Sequence, residues 1–214
     1  MFKRFFCVLF CLLSANSFAN KVDVQVVGPE GVGLANAVIY LQPTEPLEQD
    51  DLLEVAIMDQ VDTQFLPHIL TVQKNSLVRF PNSDSIKHHV YSFSSAKMFE
   101  LQLYKGLQAD PLLFSKTGVV ELGCNVHDWM IGYIYVVDTP YFTQTDKDGK
   151  GSVTVPNGNY QINVWHPRIK DKSEDLSSQL MIDSDLTKTV RIKGKLSPMI
   201  SQFENGNDEF SDYE

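Results

Sequence analysis

The chain has 214 residues, 43% of them hydrophobic and 21% charged, which is enough for one large or two small folded domains. Its 27 acidic side chains outnumber its 18 basic ones, and the formal net charge of −9 argues against nucleic-acid binding. The same acidity favours partners with basic surfaces.

The first nineteen residues have the pattern of a secretory signal peptide. Lys3 and Arg4 form a basic start, an apolar stretch covers residues 5–13, and small residues precede an expected cleavage after Ala19. The apolar stretch is short for a membrane span, although a retained anchor is the alternative, and no later segment is apolar enough to span. We therefore expect a soluble periplasmic protein with a net charge of −11, because two of the 18 basic residues leave with the signal.

The rest of the chain shows the alternation typical of β-strands and no sustained helical spacing. Val22, Val24 and Val26 alternate with polar residues, and a turn containing Pro and Gly separates them from the next apolar run. Further short runs are bounded by turn residues; in order they are AVIYL, ILTV, SLVRF, HVYSF, GVVEL and IGYIYVV. Many short strands with such turns predict an all-β fold of sandwich or barrel type.

A second β unit is expected after Asp138. Asp-Gly and Asn-Gly pairs are turn signals between its strand-like runs, and LMIDSDLTKTVRIKG supplies two more strands. From Ser197 onward the chain carries acidic and no basic residues, and we expect it to be disordered. The predicted organisation is a signal peptide at 1–19, a domain at 20–138 with a β extension at its N-terminus, a small β domain at 139–196 and an acidic tail at 197–214.

Cys124 is the one cysteine that remains after Cys7 and Cys11 leave with the signal. A lone thiol in an oxidising compartment is either buried and inert or held by a metal. His127 and Met130 follow it at three-residue spacing, directly before a predicted strand. Thiolate and thioether are soft ligands and imidazole suits copper or zinc, so these side chains could share one metal ion.

A blue-copper site needs two histidines, one cysteine and a weakly bound methionine, so one histidine is missing from this set. The segment PNSDSIKHH places His88 and His89 where a loop enters a strand. Consecutive strand residues point to opposite faces, so one of the two should face the site. His68 is expected in a strand or loop, and His166 is expected to be structural, with a place near the metal loop as the alternative. In the alternative interpretation, the members of the set are ordinary core and turn residues.

On these residues the chain resembles the cupredoxins, and amicyanin and plastocyanin in particular. Asn82 followed by His88 is similar to their upstream histidine loop, and Cys124, His127 and Met130 before IGYIYVV are similar to their short ligand loop. The resemblance implies a Greek-key β-sandwich in which His88, Cys124, His127 and Met130 hold one copper ion. The chain also resembles exported proteins of methylamine-utilisation or plastocyanin-like type, in which a cupredoxin domain is joined to a small carboxypeptidase-regulatory-like β-sandwich. The segment VPNGNYQINVWHP of this chain is similar to part of that second domain.

Two positions depart from the family pattern. The residue after the upstream histidine is His89 instead of the usual asparagine, which leaves His89 open as an alternative ligand. The residue after the second histidine is Asp128 instead of proline, which adds negative charge near the metal.

The implied function is one-electron transfer by a type 1 copper ion, not catalysis, since four protein ligands leave no open position for a substrate. By the resemblance, His127 would be the electron port, and we expect Trp129, Ile131 and Phe99 to form an apolar docking patch. The charge suggests a redox partner with a basic surface, such as a c-type cytochrome or a dehydrogenase, and we expect a monomer. A copper carrier or storage module and a metal-independent β-sandwich binding protein are the alternative functions. Zinc is the chemical competitor.

Overall fold

The computed structural model of the chain describes residues 19–46, 55–107 and 110–198. The predicted signal peptide lies outside these residues apart from Ala19, and so does the predicted acidic tail apart from its first two residues. Within the described ranges the chain is all β, with nineteen strands, no α-helix and one 3-10 turn at Ser173–Leu176. The predicted fold class is therefore confirmed. Among the same residues, no helix is long and apolar enough to cross a membrane.

The strands follow one another through short turns and loops. In chain order they are β1 (Ala19–Val27), β2 (Val38–Pro43), β3 (Ala56–Ile57), β4 (Asp59–Val61), β5 (Gln64–Leu66), β6 (Ile69–Gln73), β7 (Ser76–Arg79), β8 (Pro81–Asn82), β9 (His88–Ser94), β10 (Lys97–Tyr104), β11 (Gly106–Leu107), β12 (Leu112–Phe114), β13 (Gly118–Leu122), β14 (Gly132–Val137), β15 (Phe142–Gln144), β16 (Lys150–Pro156), β17 (Gly158–Trp165), β18 (Ser178–Ile182) and β19 (Leu186–Arg191).

The first two strands and the last five form one sandwich, which we name the flanking sandwich. One of its sheets has the strand order β16–β1–β19, and the other has the order β15–β2–β17–β18. Val22, Val24 and Val26 on the first sheet share a core with Ile39 and Ile162 on the second. Alternate residues of a strand face one side, so the predicted alternation in β1 becomes one buried face of this core.

The strand pairing differs at one point from the expected domain organisation. β1 pairs antiparallel with β16 and parallel with β19, so the N-terminal strands belong to the sheets formed after Asp138. They do not extend the region that carries the candidate ligands. Pairing between residues as distant as Val22 and Val153 depends on tertiary packing, which a local sequence pattern does not reveal. The boundary at residues 138 and 139 stays a prediction.

The strands β3 to β14 form the second group, which we name the central sandwich. Its larger sheets have the orders β13–β14–β6 and β12–β7–β3, and β9 pairs with β10, β8 with β11 and β4 with β5. Phe99 packs on Phe80 and Phe114 of its core, with ring centroids 5.4 and 6.3 Å apart. Phe99 is half-buried and packs on this core, and its expected place in a surface docking patch stays a prediction.

Candidate metal centre

The segment from Cys124 to Met130 connects the antiparallel strands β13 and β14. Its start is fixed to β9, because Gly123 and Tyr91 exchange two backbone hydrogen bonds of 3.0 and 3.1 Å. Its end is a tight turn in which the Met130 amide donates to the His127 carbonyl at 3.0 Å. The loop is fixed to β9 at its start and continues at its end into β14, which pairs with β13 and β6, so Cys124 is held against the first residues of β9.

Gly123 is required for this close approach. A Cβ atom at position 123 would lie 2.6 Å from the ring of Tyr91, a distance that side chains do not tolerate. Only glycine therefore lets the Tyr91 ring lie over the backbone beside Cys124.

The structure brings three of the four predicted ligands together. The Sγ atom of Cys124 lies 3.9 Å from Nδ1 of His88 and 3.9 Å from Nδ1 of His127. All three donor atoms lie within 4.8 Å of one another; Cys124 and His88 are buried, and His127 is half-buried. Metal–sulfur and metal–nitrogen bonds of about 2.3 and 2.0 Å place two donors of a trigonal site about 3.8 Å apart. The observed separations therefore suit a single ion shared by the three side chains.

Met130 is fully buried in the same loop and belongs to the core of the central sandwich. Its thioether would be a weak fourth ligand if the site held copper. The role of Met130 as a fourth ligand stays a prediction.

The neighbouring histidines at the start of β9 have different partners. Nδ1 of His88 lies beside Cys124, whereas Nε2 of His89 lies 2.9 Å from a carboxylate oxygen of Glu100 on β10. In the described part of the chain, the group of converging donor atoms includes His88 and not His89. The geometry favours His88 over the alternative ligand, as expected from opposite side-chain directions along a strand.

A carboxylate that the sequence analysis did not select lies behind His88. Oδ2 of Asp84 is 2.6 Å from Nε2 of His88. Burial alone would raise the pKa of the Asp84 carboxyl, but hydrogen bonds from the Thr63 amide, His88 and the Asp62 amide outweigh it and hold this pKa below its ordinary value. An acidic residue four positions before a candidate ligand was the sequence signal that could have identified Asp84.

Asn82 shapes the loop that leads to His88. Its buried side-chain amide donates to the carbonyls of Ile86 and Tyr104 at 3.0 and 2.8 Å. Its Oδ1 atom accepts the backbone amide of Asp84 at 3.0 Å. Asn82 therefore fixes the position of Asp84 relative to the start of β9.

The surroundings of His127 keep its ring in the form that binds metals. Burial of the ring and the neighbouring His88 lower the pKa of His127 below its ordinary value, while Asp84 acts in the opposite direction. A metal-bound imidazole must be unprotonated at the donor nitrogen. The lowered pKa therefore favours a neutral ring that is ready to bind.

The two remaining histidines lie outside the group of donor atoms. His68 packs edge-on against Tyr133, with ring centroids 5.5 Å apart. His166 is buried, and its Nδ1 atom accepts the backbone amide of Arg168 at 3.2 Å. Burial, together with Arg168 and His68, lowers the pKa of His166 to about 4. These contacts agree with the strand or loop position expected for His68 and with the structural role expected for His166.

No model of a known protein family and no curated protein matches the sequence. Similar solved structures include the Cu-containing nitrite reductase (NirK) from Thermus scotoductus SA-01, with a TM-score of 0.38 and 19% identity over 46% of this chain and 26% of the reductase. A purple cupredoxin from Nitrosopumilus maritimus has a TM-score of 0.34 and 20% identity over 38% of this chain and 99% of its own.

A reduced Cu(I) form of an amicyanin mutant at pH 4 has a TM-score of 0.36 and 18% identity over 46% of this chain and 98% of its own. The matched part of this chain therefore spans about a quarter of the nitrite reductase and nearly all of the two smaller proteins. All three TM-scores lie below 0.5, so these likenesses support no conclusion about function.

Proposed function

We propose that the chain is an exported, cupredoxin-type copper protein that carries single electrons between periplasmic redox partners. The convergence of His88, Cys124 and His127, whose donor atoms lie within 4.8 Å of one another, supports this proposal most strongly. Met130 would complete the set as a weak ligand. Its thioether suits copper better than zinc, which prefers thiolate, imidazole and carboxylate.

A bound copper ion would supply a centre that gains or loses one electron. The chain contributes rigidity, because Cys124 and His88 are buried and the ligand loop is anchored at both ends. A site held in this way changes little between two oxidation states. Four side-chain ligands would leave no open position for a substrate, so we propose no catalytic reaction here.

His127 is the proposed port for electrons. It is the half-buried member of the group, and its ring centroid lies 5.3 Å from that of the exposed Trp129. The exposed Val126 and the half-buried Ile131 lie on the same segment. An apolar surface of this kind suits the small, weak interfaces of redox proteins. The net negative charge of the chain favours a redox partner with a basic surface, such as a c-type cytochrome or a dehydrogenase. We propose that the chain acts as a monomer.

Absorption spectroscopy of the chain from residue 20 onward, expressed with copper, tests the proposal. We expect an intense visible band from thiolate-to-Cu(II) charge transfer, which disappears on reduction and is missing in Cys124→Ser. A colourless protein that holds one Cu(I) ion and resists oxidation would indicate a copper carrier instead. No copper uptake, with Cys124→Ser as stable as the wild type, would indicate a metal-independent binding protein.

A matched pair of variants tests the fourth ligand. Met130 and Met58 are both fully buried in the central core, but Met58 lies outside the ligand loop. Met130→Leu should shift the visible band and the reduction potential, while Met58→Leu should leave both unchanged. Equal spectra for the two variants would remove Met130 from the proposed ligand set.

A further inference from the structure

The ring of His88 is held from both of its nitrogen atoms. Nδ1 lies 3.9 Å from Sγ of Cys124, and Nε2 lies 2.6 Å from Oδ2 of Asp84. A neutral imidazole carries one proton, so a ring that offers Nδ1 to a metal carries its proton on Nε2. That proton would then be donated to the Asp84 carboxylate, which would give the ring one orientation and one tautomer.

The carboxylate of Asp84 is itself fixed by backbone groups. Its Oδ1 atom accepts the amide of Asp62 at 2.7 Å, and its Oδ2 atom accepts the amide of Thr63 at 2.9 Å. Its own amide donates to the Asn82 side chain. A carboxylate with two amide bonds, on a residue whose backbone is also anchored, does not need to reorganise when His88 binds a metal.

The turn that supplies these amides has an unfavourable backbone. Asp62 and Thr63 form the two-residue connection between β4 and β5, and both have positive φ angles, 51° and 57°. Turns with two such residues favour Asn or Asp at the first position and Gly at the second, so Asp62 is ordinary there and the β-branched Thr63 is strained. Strain of this kind persists where surrounding contacts compensate for it, and it concentrates at functional sites. Here the compensating contacts are the two amides bound to Asp84.

The neighbouring histidine–carboxylate pair, His89 on β9 and Glu100 on β10, lacks these features. His89 also meets a carboxylate, at 2.9 Å from Glu100, but the Glu100 side chain is 56% exposed whereas that of Asp84 is 12% exposed. Both acids lie beside a histidine, so an acid near a histidine is not by itself informative. The burial and backbone anchoring of Asp84, behind a ring that faces Cys124, distinguish it from Glu100.

We propose that Asp84 is a positioning residue of the metal site, which holds the Nε2 proton of His88 and thereby directs Nδ1 at the metal. This inference rests on the proposed function. A carboxylate partner makes an imidazole a stronger donor, and its negative charge stabilises the more highly charged ion. Asp84 therefore supports Cu(II) binding more than Cu(I) binding, and it lowers the reduction potential of the site.

The affinities of Asp84→Asn for Cu(II) and for Cu(I) test this role, measured by competition with chelators of known affinity. We expect Cu(II) to bind about 10- to 100-fold more weakly, as for other partners of metal-bound histidines, and Cu(I) to lose distinctly less. The reduction potential should rise accordingly. Equal losses for both ions would show a merely structural effect, and unchanged affinities would overturn the inference.

Two controls carry the same change from carboxylate to amide. Glu100→Gln alters the carboxylate beside His89. Asp171→Asn alters a carboxylate of the flanking sandwich, which accepts the backbone amides of Lys193 and Gly194 at 2.8 and 2.9 Å. Neither should change the ratio of the two copper affinities. If Glu100→Gln changes this ratio as much as Asp84→Asn does, the assignment to Asp84 is wrong.

Nitrogen-15 NMR of the metal-free wild type keeps the inference testable if Asp84→Asn does not fold. We expect the proton of the buried His88 ring on Nε2, hydrogen-bonded and slow to exchange, and a proton on Nδ1 would contradict the inference. A wild type that binds neither copper ion would refute the proposed function as a whole. Copper binding that Asp84→Asn leaves unaltered would refute the role of Asp84 alone.

Discussion

The two sandwiches use the same β architecture, and one buried polar cluster in each shows a different kind of pairing. In the flanking sandwich, the Thr145 hydroxyl accepts the amide of Ala37 and donates to the carbonyl of Leu34, so this buried side chain serves the backbone. In the central sandwich, contacts between side chains link Asp84, His88 and Cys124 into one series. Buried polar groups are costly unless they are paired. The proposed function rests on this series of paired side chains in the central sandwich, which ends at a thiol.

The strongest test of this difference compares two adjacent histidines. His88→Gly should abolish the visible copper band, because it removes a donor atom, and added imidazole should restore the band by entering the space left by the ring. His89→Gly should retain the band, because the His89 side chain lies on the opposite face of β9 and contacts Glu100 of β10. Spectra with and without imidazole measure both effects. Loss of the band in His89→Gly alone would reverse the assignment of the two residues.

A second comparison separates the stability of each core from the site. Ile134 and Ile162 are both fully buried, one in each sandwich, and truncation of either to alanine should lower the free energy of unfolding by about 2–5 kcal/mol. Ile134→Ala should also weaken copper binding, because β14 anchors the end of the ligand loop. Ile162→Ala should not. Urea unfolding and copper titration measure the two quantities, and an equal loss of copper affinity would contradict the separation.

The local part of the fold could be predicted from the sequence. The run GVVEL is β13, and Val22, Val24 and Val26 form a buried face as their alternation indicates. Strand β10 was not predicted, because its pattern, with Phe99 half-buried and Met98 exposed, does not stand out from the surrounding residues. The place of β1 between β16 and β19 could not be predicted either, since strand order depends on contacts between distant residues.

The candidate ligands could be predicted from the sequence, whereas the residues that hold them in place could not. Chemical softness and spacing selected Cys124, His127 and Met130, and the resemblance to a known family supplied His88. Asp84 was missed because its importance comes from the turn at Asp62 and Thr63, which reaches it from another hairpin. The four-residue spacing from Asp84 to His88 is a weak sequence signal, and the backbone contacts that reach Asp84 from another hairpin leave no spacing signal.

Acidification should weaken the fold through His166. Burial, Arg168 and His68 lower its pKa from 6.5 to about 4, so below pH 6.5 the unfolded chain binds a proton that the folded chain does not. The free energy of unfolding therefore decreases as the pH falls from 6.5 to 4. The loss is about 2 kcal/mol at pH 5 and reaches about 3 kcal/mol below pH 4. Urea unfolding at pH 7 and pH 5 measures this loss.

His166→Asn is the control for this pH dependence. Its Oδ1 atom can accept the Arg168 amide in place of the ring nitrogen, but it does not titrate. The variant should lose less stability between pH 7 and pH 5 than the wild type. The same loss in both proteins would assign the effect to other groups.

The smallest expected effect concerns the contact between the two sandwiches. The hydroxyls of Tyr40 on β2 and Tyr135 on β14 lie 3.3 Å apart, and Trp165 on β17 stacks on Tyr135 at 4.6 Å. Tyr40→Phe removes one hydrogen bond and should lower the free energy of unfolding by about 0.5–1.5 kcal/mol. Tyr141→Phe is the control, because that ring packs on Tyr160 within the flanking sandwich.

A double-mutant cycle of Tyr40→Phe and Tyr135→Phe isolates this contact from its surroundings. A positive coupling energy, with one unfolding transition in all variants, would show that the flanking sandwich stabilises the strand next to the ligand loop. A coupling of zero, with two transitions, would show that the sandwiches unfold independently. In that case the rigidity of the candidate site comes from the central sandwich alone, and from the Asp84 series in particular.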